Sequence, residues 1–155
     1  MRLSKNFVLS EITRSNTARR LGISNEPSKE HLANMQVLIT ELIQPMRDAL
    51  GPIRISSGYR SPQLNRAIGG SKKSQHCKGQ ALDLQFWKDG QMCNEEIYRW
   101  VLKSGVKFDQ MINEFDFAWI HISLKEGKNR NMVLEAYKDK DGDTAYKVAD
   151  IVTSI

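Results

Sequence analysis

Ser74-Gln75-His76-Cys77-Lys78-Gly79-Gln80-Ala81-Leu82-Asp83 is the stretch from which the rest of the chain is best read. His76 offers a neutral imidazole nitrogen and Asp83 a carboxylate oxygen. Both suit zinc, which in catalytic sites takes three protein ligands and leaves a fourth position open. Gly79 permits a tight turn between them, and residues 80–86 alternate, so Asp83 is expected on a strand. The chain has three histidines, His31, His76 and His121. In Trp119-Ile120-His121-Ile122-Ser123-Leu124, alternation places Trp119, His121 and Ser123 on one strand face and the aliphatic residues on the other. His121 is therefore the expected third ligand. A histidine and an aspartate alone are ordinarily a surface or capping pair, and the strand-borne His121 strengthens the metal reading without deciding between the two. His31 follows Ser28, an expected N-cap, and reads as an exposed or capping residue.

Ser74, His76, Gly79, Ala81 and Asp83, followed far downstream by Trp119-Ile120-His121, form a pattern that resembles the zinc D-alanyl-D-alanine peptidases, murein hydrolases that cut peptidoglycan peptides. Ile55-Ser56-Ser57-Gly58-Tyr59-Arg60-Ser61 is similar to the upstream block of that family, a strand ending in a glycine turn that delivers an arginine. Phe7-Val8-Leu9-Ser10-Glu11 and Ala18-Arg19-Arg20-Leu21-Gly22-Ile23 resemble the branch common in phages and their hosts. The resemblance covers roughly residues 5 to 125. It implies an α+β fold of the hedgehog/DD-peptidase kind, an antiparallel sheet with helices packed on one side. It also implies one zinc ion on His76, Asp83 and His121.

Several roles follow from that likeness. Arg60 would stabilise an oxyanion or hold a substrate carboxylate, against the plain alternative of a surface arginine after a strand. Many members carry an acid three residues before the last histidine, but here that position is Ala118. Glu114 is then the preferred general base and Asp116 the second choice. Ser74 and Gln75 would position substrate or hydrogen-bond the ligands, although Ser74 could equally start the turn. Tyr59 and Trp119 either line the cleft or belong to the core.

At 155 residues the chain is expected to form one domain, residues 1–155, with a substantial core. No apolar run reaches membrane-spanning length. The opening Met1–Asn6 lacks the apolar centre of a secretory signal, so synthesis in the cytoplasm and action on the wall after release are expected. Cys77 and Cys93 have no metal-knuckle spacing, and no disulfide is expected. The net charge of +5 is spread along the chain without a basic, aromatic-interleaved stripe, so neither nucleic acid nor a membrane is the expected partner. A monomer acting on peptidoglycan peptides is expected.

In chain order, the pattern predicts a short helix or turn around Leu9–Ile12 and a helix from Asn16 to Leu21 capped by Gly22. A long amphipathic helix from Ser28 to about Leu50 should be kinked or broken by Pro45. Further expectations are a strand at residues 53–57, a helix from Pro62 to about Ile68, and a helix at residues 94–104. A hairpin should join residues 108–115 to the Trp119 strand, with extended runs at 132–137 and 146–151. Asp139, Asp141, Asp143 and Asp150 superficially suggest a calcium loop. Gly142 is misplaced for one, so a hairpin turn is preferred.

Three functions compete on this reading. They are a zinc-dependent murein peptidase, a weakly catalytic zinc module that binds a wall peptide or protein, and a basic nucleic-acid-binding domain. An acid near His121 separates the first two, because a binding module does not need one.

Overall fold

The two stretches that carry the expected ligands alternate most clearly, and both are strands in the computed structural model, which describes residues 1–149. β1 (Ile53–Ser57) pairs with β2 (Ala81–Lys88), and β2 in turn pairs with β5 (Trp119–Ser123), setting Asp83 opposite His121. β4 (Gln110–Glu114) forms the expected hairpin with β5. β6 (Met132–Lys138) and β7 (Thr144–Val148) complete the order β1-β2-β5-β4-β6-β7, and the short β3 (Gln91–Met92) pairs with β2. The fold is α+β and the sheet mostly antiparallel, as expected. One pair departs: β6 runs parallel to β4, because the 124–131 connection carries the chain past β4 and returns it in the same direction.

The helices begin where the side chains permit. Ser15, Ser28 and Ser61 each accept a hydrogen bond from the backbone three residues on, capping α2 (Asn16–Leu21), α3 (Lys29–Leu38) and α5 (Pro62–Ala67). α1 (Leu9–Thr13) precedes them, and Gly22 closes α2 at φ 66°. Of the kink or break expected at Pro45, the break does not occur. The helical path runs from 29 to 50 through a π turn (Ile39–Ile43) that leads into α4 (Gln44–Leu50), with the Gln44 N–H reaching back to the Ile39 carbonyl. Widening the turn just before the proline accommodates a residue that can donate no bond and crowds the preceding turn.

One face of the sheet is closed by this helical run and by α6 (Asn94–Ser104). Met35, Leu38, Ile39, Leu42 and Met46 pack with Ile97, Tyr98 and Val101 over Leu82, Leu84, Ile120 and Ile122. The other face is left open as a cleft. Beyond β6, the Asp139 carboxylate accepts from the Asp141 and Asp143 N–H groups and so makes the hairpin turn, as preferred from the sequence. Asp150 and the end of the last expected run lie outside the described residues. Cys77 and Cys93 are free thiols. Among the described residues no helix is long and apolar enough to cross a membrane.

The β4–β5 connection is costly. Phe115, Asp116 and Phe117 all have positive φ, at 52°, 58° and 63°, and each such L-residue costs about 1–2 kcal/mol. Two asparagines hold it in place. Asn113 Oδ1 accepts from the Phe117 N–H at 2.6 Å. Asn94, fully buried, accepts from the Phe86 N–H and donates to the Phe117 and Ala118 carbonyls. Asn94→Ala leaves these backbone groups unpaired, so it should destabilise the protein by about 2–3 kcal/mol in urea unfolding. A loss below about 0.5 kcal/mol would show that the turn holds itself.

Candidate metal centre and cleft

Asp83 and His121 are cross-strand partners on the open face, although they stand 38 positions apart in sequence. His76 reaches them from a 3-10 turn (Gln75–Lys78) that packs against α3. Ser74 caps this turn by accepting from the His76 N–H at 3.2 Å, and Gly79 ends it at φ 71°. A Cβ at Gly79 would strike the His31 carbonyl, so glycine is required there by both conformation and space.

The ring of His76 is oriented from behind. Its Nδ1 lies 2.7 Å from the Gly58 carbonyl, and since a carbonyl can only accept, Nδ1 carries the proton. Nε2 is left with its lone pair, 3.3 Å from Asp83 Oδ1. His121 presents Nδ1 to the same oxygen at 3.1 Å. A tetrahedron with bonds of about 2.0 Å has edges of about 3.3 Å, so these separations suit a single ion. One donor atom from each of the three residues falls within 4.8 Å of the others. Two imidazole nitrogens and one carboxylate oxygen, facing a cleft, form a donor set that fits catalytic zinc with an open position. Among the described residues no other such group converges.

The charges fit the same purpose. Burial acts to raise the Asp83 carboxyl, but the two imidazoles of His121 and His76 beside it outweigh this and hold the group well below the usual carboxylate range. Glu114, 8% exposed, behaves in the opposite way. Burial raises its carboxyl, the charge of His121 opposes this, and the negative charge of Asp83 adds to the rise. Two carboxyls on one sheet face are thereby given different tasks, one a permanent anion and one able to take up a proton.

The cleft, roughly 970 Å³, separates the remaining sequence candidates. Glu114 and Trp119 line it, whereas Asp116 is exposed on the strained turn and lies outside the lining. Arg60 also lines the cleft, with weak 3.4 Å contacts to Asn65 and Ser74. Its Nε is buried without a hydrogen-bond partner among the described residues. Ser74 and Gln75 both line the cleft, and Ser74 is also the turn's cap. Tyr59 belongs to the core: it is 3% exposed and its hydroxyl is 2.9 Å from His31 Nδ1, so a cleft role for it is corrected. His31 is half-buried rather than exposed, while its N–H does sit on the Ser28 cap.

Several residues of this site carry no sequence signal of their own. Gly58 acts through its carbonyl, which any residue possesses. Leu134, Thr144 and Tyr146 reach the cleft from β6 and β7. Only the alternation of those strands hinted at a face.

A family model described as Peptidase M15 matches residues 5–123, about three quarters of the chain. No curated protein matches it closely.

The raised carboxyl of Glu114 has a consequence for stability. The folded state binds its proton more tightly than the unfolded state, so ionised Glu114 costs stability above its folded pKa. That cost fades as the pH falls through the folded value and is gone below the ordinary value of 4.5. In metal-free protein, Glu114→Gln should therefore be more stable than the parent at pH 7.5, with the gain shrinking toward acid. Urea unfolding across this range measures it. A variant no more stable at neutral pH would contradict the burial of a charged Glu114.

Proposed function

The chain belongs to the peptidase M15 family, and from that premise we propose that it is a zinc-dependent peptidase of bacterial peptidoglycan, acting on the wall after release. The observation that carries this reading is Glu114, a buried carboxyl with raised proton affinity, in the same cleft as His76, Asp83 and His121. M15 peptidases are zinc metallopeptidases. A module that only binds a wall peptide has no use for such a carboxyl, and keeping it buried costs stability.

When bound, zinc supplies Lewis-acid polarisation and a water acidified toward neutrality. His76 Nε2, Asp83 and His121 Nδ1 would hold the ion. The Glu114 carboxylate takes the proton from the attacking water and delivers it to the leaving amine nitrogen. Its proton affinity, above that of an ordinary glutamate, suits it to receive the proton and then release it. Arg60, which lines the same cleft, would stabilise the carbonyl oxygen as negative charge develops, or hold a substrate carboxylate. Trp119, against Phe115 at a ring separation of 5.5 Å, offers an apolar wall for the peptide chain.

The test is digestion of purified peptidoglycan by the zinc-loaded protein, with the released peptides identified by mass spectrometry. Peptides should appear with zinc and cease with chelator. Glu114→Gln should keep the metal and lower turnover by about a hundredfold or more, the usual scale of general acid–base help. Asp116→Asn should digest like the parent. Parental turnover in Glu114→Gln would overturn the assignment of the base.

A further inference from the structure

Asp109 is fully buried, yet the chemistry above gives it no part. It lies just before β4, at the end of the sheet where its N–H bonds the Ser123 carbonyl at 2.8 Å. Both of its oxygens are engaged by side chains that line the cleft. Oδ1 accepts from the backbone N–H of Arg130 at 3.1 Å and from its Nε at 3.0 Å. Oδ2 accepts from Arg130 Nη2 at 2.8 Å and from Gln75 Nε2 at 3.1 Å. Arg130 is thus gripped along one edge of its guanidinium by a carboxylate that cannot move away.

The other edge is free for use. Nη1 has no protein partner among the described residues, and the side chain remains 47% exposed on the cleft. A surface arginine ordinarily loses much rotamer freedom when it binds a ligand, and here the buried anchor has already removed that freedom. Charge is arranged to match. Arg60, Lys73, Lys78 and Lys125 line the same cleft. Strand register puts Asp109, Arg130 and Gln75 beyond one end of the Asp83–His121 row, and Glu114 and Trp119 beyond the other. The cleft therefore presents Arg130 and Gln75 on one side of the three converging residues and Trp119 on the other.

We propose that Arg130, seated on Asp109, is a substrate-binding residue that receives a carboxylate of the peptide on the Gln75 side of the scissile bond, so that the protein favours an acidic peptide over its carboxamide. Arg130 lies beyond the residues 5–123 matched by the family, so family membership alone does not assign it. The proposal rests on the peptidase reading above and deepens it with a substrate preference.

Binding rather than turnover provides the test. Zinc-loaded Glu114→Gln protein is titrated calorimetrically with two wall-type peptides identical except for one group. One carries a γ-linked D-glutamyl residue with its α-carboxylate free, and the other carries the α-carboxamide. The carboxylate peptide should bind about tenfold more tightly, as a charge-assisted bidentate contact implies. Adding Asp109→Asn with Arg130→Gln removes both charges, so no buried carboxylate is left unpaired, and the preference should fall to about one with zinc content unchanged. Should that protein fail to fold, Arg130→Lys reads the same ratio. Lysine has no second guanidinium edge to offer once it is paired with Asp109, so the bidentate contact is lost and the preference should fall toward one. Equal affinity for the two peptides, binding of neither, or a preference that survives these variants overturns the proposal. A preference in a protein whose parent releases nothing from peptidoglycan would refute the peptidase reading and leave this assignment standing. Digestion without preference would do the reverse.

Discussion

The hydrogen bond from His76 Nδ1 to the Gly58 carbonyl is the constraint on which the centre depends. His121 and Asp83 are held by strand pairing, but His76 sits on a single 3-10 turn and would otherwise be free to rotate. The bond fixes both its ring plane and its tautomer, leaving the Nε2 lone pair facing Asp83, where it could take a metal. Its geometry requires the chain at Gly58 to lie hard against Ile12, where a Cβ would strike the carbonyl. The Tyr59 N–H then bonds that same Ile12 carbonyl at 2.8 Å. The N-terminal segment therefore contributes to the metal site without supplying any group to it.

Glu114 depends on a second constraint of the same kind. It is the last residue of β4, and three successive left-handed residues follow it. This turn returns the chain so that Trp119 pairs opposite Glu114 and His121 falls two residues further along β5. Asn94 and Asn113 offset the strain with hydrogen bonds to the turn's backbone. The Ala118 carbonyl closes the same turn by accepting from Gln85 and Asn94.

The convergence of His76, Asp83 and His121, a group that could hold a metal, was legible in the sequence because each residue rests on a local rule. Asp83 and His121 sit in clean alternation, and His76 lies between a serine that caps and a glycine that turns. The helix starts at Ser15, Ser28 and Ser61 were equally local. What was hidden depends on groups brought together by the tertiary fold. Alternation does not encode strand direction, so the parallel β4–β6 pair could not be read. Pro45 signals a disturbed helix but not the π turn that resolves it. Tyr59 looks the same as core or cleft aromatic until its hydroxyl is seen on His31. The Asp109–Arg130 pair spans 21 positions, and its one trace in the sequence is an acid on the face that otherwise packs Met111 inward.

The convergence of three side chains on one ion beside Glu114 is tested most directly by anomalous diffraction at the zinc edge from crystals grown with zinc. The geometry predicts a single strong peak bonded to His76 Nε2, Asp83 and His121 Nδ1 at about 2.0–2.2 Å, with its remaining position facing the cleft. A peak bonded through His76 Nδ1, or one that lacks any of the three residues, would contradict it.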